Sequence, residues 1–92
     1  MGYLKELSGR VALITGASSG IGEATARHLC RLGMCVGLVA RRQERLGRLV
    51  ADLGADRALA IPGDVTDPDL AVSALTAAGE RFGRIDAVVN NA

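Results

Sequence analysis

Short apolar runs alternate with longer amphipathic stretches along the chain. The runs fall at Arg10–Ile14, Met34–Ala40, Ala58–Ile61 and Ile85–Val89. Each is too short for a helix and too continuous for a half-exposed strand, as in parallel strands covered on both faces. Between them lie Ile21–Leu32, Gln43–Leu53 and Asp69–Phe82, which carry helical periodicity. In the first of these, Ile21, Ala24, Thr25, His28 and Leu32 form the expected inward stripe. Glu23 and Arg27 stand four apart on the other side, as an ion pair would. Gly33 and Gly54 sit where the first two helices should stop. Asp67-Pro68-Asp69 should open the third, with a capping side chain, a proline in the first turn and an acid favoured by the helix dipole.

The resulting β-α-β-α-β-α-β order predicts an α/β fold, a Rossmann-like doubly wound parallel sheet with right-handed crossovers and strand order 3-2-1-4. No linker, repeat or low-complexity tract divides residues 1–92. In such a sheet the fourth strand is central and gains a fifth neighbour. Ile85–Val89, left as an edge, would be apolar apart from Asp86 and without a proline to protect it. The expectation is therefore the N-terminal part of a longer domain.

Composition narrows the partners. A net charge of +1 with dispersed arginines and 2% aromatic residues offers no basic stripe for nucleic acid. No apolar run approaches the roughly 18 residues of a membrane span, and Met1–Arg10 lacks a signal-peptide core. Cys30 and Cys35 suit reduced thiols, which points to the cytoplasm. A metal site at His28, Cys30 and Cys35 is not expected. His28 and Cys30 diverge on a helix and Cys35 opens a strand; His28 reads as a core or boundary residue.

Four segments carry candidate chemistry. The first is Thr15-Gly16-Ala17-Ser18-Ser19-Gly20-Ile21-Gly22, between a strand and a helix, where backbone N–H groups and a helix N-terminus can hold a diphosphate. Gly16 would permit the sharp exit from the strand, Gly20 a close approach of the diphosphate, and Gly22 tight packing of the helix on the sheet. Ser18 and Ser19 could donate to phosphate oxygens. The bland alternative is a connecting turn. No Gly-Lys-Ser/Thr follows, so this is not a P-loop.

The second segment is Ala40-Arg41-Arg42, after strand two. An acid is usual there in NAD binders, where it accepts from the adenosine ribose. Ala40 cannot accept, whereas Arg41 and Arg42 can bind a 2′-phosphate bidentately. Cations are disfavoured at a helix N-terminus, which weighs against ordinary solvated charges. Arg45 and Arg48 are expected to stay solvated. These residues favour NADP(H), with NADPH preferred over NADH. The third segment, Asp64-Val65 after strand three, could meet adenine through a carboxylate and a backbone N–H. The fourth is Asn90-Asn91-Ala92 after strand four, on the same carboxyl edge, where open α/β sheets bind ligands.

These segments, in this order, resemble the short-chain dehydrogenase/reductase family over about Ser8–Ala92. The resemblance implies hydride transfer between a nicotinamide dinucleotide and a small-molecule alcohol or carbonyl substrate. It implies cofactor contacts at Ser18, Ser19, Ile21, Arg41, Arg42, Asp64, Val65 and Asn90, and a homo-oligomer for the intact protein. The family's Tyr-x-x-x-Lys pair is not here: the only Tyr is Tyr3 and the only Lys is Lys5. No residue of this chain is thus assigned as catalytic, and the 92 residues alone are expected to be inactive. The alternative is a non-catalytic dinucleotide-binding or interaction module that completes its sheet with a partner chain.

Overall fold

The computed structural model describes residues 7–91. Tyr3, Lys5 and Ala92 lie outside the described residues. The elements run β1 (Val11–Thr15), α1 (Gly20–Arg31), β2 (Cys35–Ala40), α2 (Gln43–Leu53), β3 (Ala58–Pro62), α3 (Leu70–Phe82) and β4 (Ala87–Asn90). The four strands form one parallel sheet in the order β3-β2-β1-β4. Strand order and alternation match the sequence expectation.

The alternating side chains of β1 and β2 feed two separate cores, as the period of a strand requires. Ile14, Val36, Leu38 and Ala40 point to one face and pack with Ala26 of α1 and with Leu46 and Leu49 of α2. Leu13, Val39 and Ile61 point to the other and pack with Ala74 and Ala78 of α3. Gly33 and Gly54 end α1 and α2 at positive φ, 93° and 101°.

The buried stripe of α1 is not the expected one. Ile21 is 75% exposed, Ala24 and His28 are exposed, and the buried residues are Gly22 and Ala26, with Leu29 and Cys30 packed beside them. A side chain at Gly22 would meet the Gly16 carbonyl, and Ala26 is the residue of the helix that is fully buried in the core. His28 is thus neither a core nor a boundary residue. Glu23 and Arg27 pair as expected, at 2.9 Å, and Arg27 also reaches Asp52 of α2 at 2.9 Å.

The fourth strand begins later than the apolar run suggests. Ile85 packs on the α3 side, and the ladder to β1 opens with Ala12 opposite Ala87. Asp86 marks the junction. Its carboxylate accepts from the Val11 N–H at 2.8 Å and from Arg84 Nε and Nη2 at 2.9 and 2.6 Å. Arg10 lies 3.6 Å away. The start of α3 also differs. Asp67 does accept from the Asp69 N–H at 2.9 Å, as a capping side chain would, but regular helix begins only at Leu70.

Arg84 hydrogen bonds, then the Val11 N–H, hold the Asp86 carboxyl below the usual carboxylate range. Folding lowers this pKa, so the stabilisation is complete above the ordinary value, about 3.9, and is lost as pH falls through the folded one. Asp86→Asn should therefore lower stability at neutral pH and flatten the acid limb of the unfolding curve. Denaturant midpoints between pH 2 and 7 measure this; an acid limb identical to the parent's would contradict the role of Asp86.

Candidate functional site

The carboxyl edge of the sheet is shaped by the turn after β1. Gly16 adopts φ 63°, and a Cβ there would lie 2.8 Å from the Asn91 carbonyl oxygen. The turn is tied to β2 by the Ala17 N–H, which donates to the Val39 carbonyl at 3.1 Å. Thr15 ties it to β4. Its hydroxyl donates to Asn90 Oδ1 at 2.9 Å and accepts from the Asn91 N–H at 3.2 Å. The side-chain amide Nδ2 of Asn91 is buried and has no hydrogen-bond partner among the described residues.

The three glycines of the loop have distinct duties. Gly16 makes the exit from β1. Gly22 is buried, and a Cβ on it would fall on the Gly16 carbonyl oxygen. It thus seats α1 on its own leading turn, whereas packing on the sheet was expected. Gly20 is exposed, and a Cβ there would meet nothing within 4 Å. Open space above Gly20 is what an approaching diphosphate needs.

Ser19 is the N-cap of α1. Its hydroxyl donates to the Gly16 carbonyl at 2.7 Å and accepts from the Gly22 N–H at 3.3 Å. That proton is committed to the loop, so Ser19 shapes the cradle in this geometry. Among the described residues, the N–H groups of Ser18, Gly20 and Ile21 have no protein acceptor. Unpaired donors at a helix N-terminus, with the positive end of the helix dipole, are suited to an anion.

Arg41 and Arg42 emerge where β2 ends, and Arg42 is the N-cap position of α2 with no side-chain capping bond. Together with Gly16, Ser18, Gly63 and Val65 they line a cavity of about 170 Å³. Arg41 Nη1 stands 3.8 Å from Asp64 Oδ2. The other Asp64 oxygen accepts from the Thr66 N–H at 2.9 Å and the Thr66 hydroxyl at 2.8 Å. These Thr66 bonds, with a smaller pull from Arg41, hold the Asp64 carboxyl below its usual range. It is a pure acceptor at neutral pH.

Val65 is shared with a second, more apolar cavity of about 410 Å³. Thr15, Val39 and Asn90 line its sheet side, and Leu70, Ala71 and Ala74 its α3 side. The loops after β1, β2 and β3 therefore converge on one cavity, and Asn90 borders the next. Ile21, 75% exposed, stands at the loop mouth. Two features were missed in the sequence: the Thr15 hydroxyl as a link between β1 and β4, and the Arg41–Asp64 pair. The first depends on which strand neighbours β1, and the second on two loops separated by a whole helix.

Comparison with known proteins agrees with this geometry. The family model described as short chain dehydrogenase matches residues 10–92. The chain belongs to the short-chain dehydrogenase family. This short-chain dehydrogenase is 50% identical over 86 residues to the A-factor type gamma-butyrolactone 1′-reductase (1S-forming) of Streptomyces virginiae, covering 91% of this chain and 34% of the relative. It is 40% identical over 93 residues to 11-beta-hydroxysteroid dehydrogenase 1A of Arabidopsis thaliana, covering 98% and 27%. The chain thus spans about a third of the length of such relatives.

Solved structures agree. The 3-ketoacyl-(acyl-carrier-protein) reductase of Brucella melitensis, complexed with NADH, matches at TM-score 0.84 and 38% identity, over 89% of this chain and 33% of that one. The C-domain of a bacterial malonyl-CoA reductase, with NADP, matches at TM-score 0.83 and 37% identity, over 92% and 15%. As a short-chain dehydrogenase, the chain has the nicotinamide dinucleotide as its family's cofactor. The open cradle above Gly20, the unpaired N–H groups and the neighbouring arginines fit such a group.

The glycine roles are separable by stability. Gly22→Ala should cost about 1–3 kcal/mol, because the Gly16 carbonyl must move. Gly20→Ala should stay within about 0.5 kcal/mol of the parent. Denaturant midpoints measure both, and an unperturbed Gly22→Ala would remove the loop from α1.

Proposed function

We propose that this chain is the cofactor-binding half of an NADP(H)-dependent short-chain oxidoreductase that interconverts an alcohol and a carbonyl. The catalytic residues lie outside these 92 residues. The observation that carries the cofactor preference is the pairing of Arg41 and Arg42 with the glycine-rich turn around one cavity. No carboxylate replaces them at the end of β2, where Ala40 stands. Two guanidinium groups beside an adenosine ribose favour a 2′-phosphate through charge-assisted hydrogen bonds.

The division of labour follows from the residues. The N–H groups of Ser18, Gly20 and Ile21 hold the diphosphate, and Ser19 keeps their turn in shape. Asp64 accepts from the adenine amino group, and the Val65 N–H faces the ring. Asn90 borders the neighbouring cavity on the adenosine side of the cofactor, and the hydroxyl of Thr15 fixes its amide. When bound, the dinucleotide supplies or takes up the hydride. This half of the protein binds and orients it; the proton is moved by residues elsewhere.

The substitution pair Arg41→Ala with Arg42→Ala tests this reading in the protein at its natural length. Affinity for NADPH should fall roughly 10- to 100-fold, the scale of losing a hydrogen bond to a charged group. Affinity for NADH should change little. Fluorescence titration of the two reduced dinucleotides measures the ratio, and equal losses for both would contradict the 2′-phosphate assignment.

A further inference from the structure

The first two turns of α2 carry an arrangement that the adenosine cavity does not use up. Arg42, Arg45 and Arg48 follow one another at intervals of three residues. On a helix such residues are surface neighbours, where like charges oppose each other. They also stand at the end of the helix where cations are least favoured. Among the described residues none of the three is in an ion pair, and Arg42 makes no side-chain cap. Glu44 stands four residues before Arg48 and shares its side of the helix, but it is adjacent to Arg45 and projects about 100° from it around the axis. Arg27 and Arg41, by contrast, each face a carboxylate.

Arg45 and Arg48 line a cavity of about 250 Å³ between α1 and α2, with Ser18 as its wall at the glycine-rich turn. Glu23 and Asp52 also border it, and both carboxylates are held by Arg27 at 2.9 Å. Ser18 borders the Arg41–Arg42 cavity too. One serine thus separates two arginine-lined hollows. Arg45 precedes Arg48 by three residues, which is about 4.5 Å nearer the sheet edge along the helix.

We propose that Arg45 is a third cofactor-specificity residue, closing on the terminal phosphate of a 2′-phosphorylated adenosine from the α2 side of Ser18. This rests on the NADP(H) reading above. Arg41 is already set against Asp64 at 3.8 Å, so part of its charge is offset before any ligand arrives. A phosphate monoester carries close to two negative charges at neutral pH. Arg42 and Arg45, one turn apart and without carboxylate partners, supply the balance. An exposed arginine one turn into a helix is then a ligand group and not a solvated charge.

The probes are adenosine 2′,5′-bisphosphate and adenosine 5′-monophosphate, titrated calorimetrically into the protein at its natural length. The parent should prefer the bisphosphate, and Arg45→Gln should reduce that preference by about tenfold. Arg45→Lys should recover only part of it, since an ammonium lacks the planar fork. Arg31→Gln, which removes one charge at the far end of α1, should leave the preference unchanged. A parent without preference for the bisphosphate would overturn the NADP(H) reading and this one with it. A preference that survives Arg45→Gln, or falls equally with Arg31→Gln, would overturn the Arg45 assignment alone. Arg31 and Arg45 are both exposed, so each variant should keep the parental fold, with circular dichroism as the check.

Discussion

The turn at Gly16 is the constraint from which the carboxyl edge of this sheet takes its form. Its positive φ turns the chain out of β1, and the space of a missing Cβ is filled by the Asn91 backbone from β4. The same turn receives α1 through Gly22, where no side chain would fit over the Gly16 carbonyl. Ala17 adds a bond to the end of β2. One residue's conformation thereby joins three strands and a helix. It also leaves three donors of this loop, the N–H groups of Ser18, Gly20 and Ile21, without acceptors among the described residues. A rigid turn with unspent donors is preorganised for an anion, because little further ordering is needed when one binds.

Charge around that turn is graded. Asp64 is locked ionised by Thr66 and faces Arg41, so the β3 side offers an acceptor with one compensated cation. On the α2 side, Arg42, Arg45 and Arg48 are in no ion pair among the described residues. Farther along the helices, Arg27 joins Glu23 and Asp52 and links α1 to α2. Such exposed pairs contribute little to stability. Their two carboxylates are taken up by Arg27, while Arg45 and Arg48 line the same groove outside those pairs.

Much of this was legible in the sequence, for identifiable reasons. Parallel strands buried on both faces are continuously apolar, so β1 and β2 announced themselves, and alternation with helices dictated the order β3-β2-β1-β4. The glycine-rich turn was recognisable because backbone geometry demands those residues. The phase of α1 was not, because apolar character pointed to Ile21 while close packing selected Gly22 and Ala26. The onset of β4 was hidden because Asp86, a charged residue, is the one that docks on Val11. Partners such as Arg41 with Asp64, or Thr15 with Asn90, depend on tertiary neighbours that no local pattern encodes.

A diffraction structure of the natural-length protein with NADP+ bound tests the central claim most directly. The account predicts the diphosphate over Gly20, within hydrogen-bond reach of the Ser18, Gly20 and Ile21 N–H groups, and the 2′-phosphate among the arginines that follow β2. A diphosphate bound away from the Gly16–Gly22 turn, or a 2′-phosphate directed to solvent without an arginine contact, would contradict it.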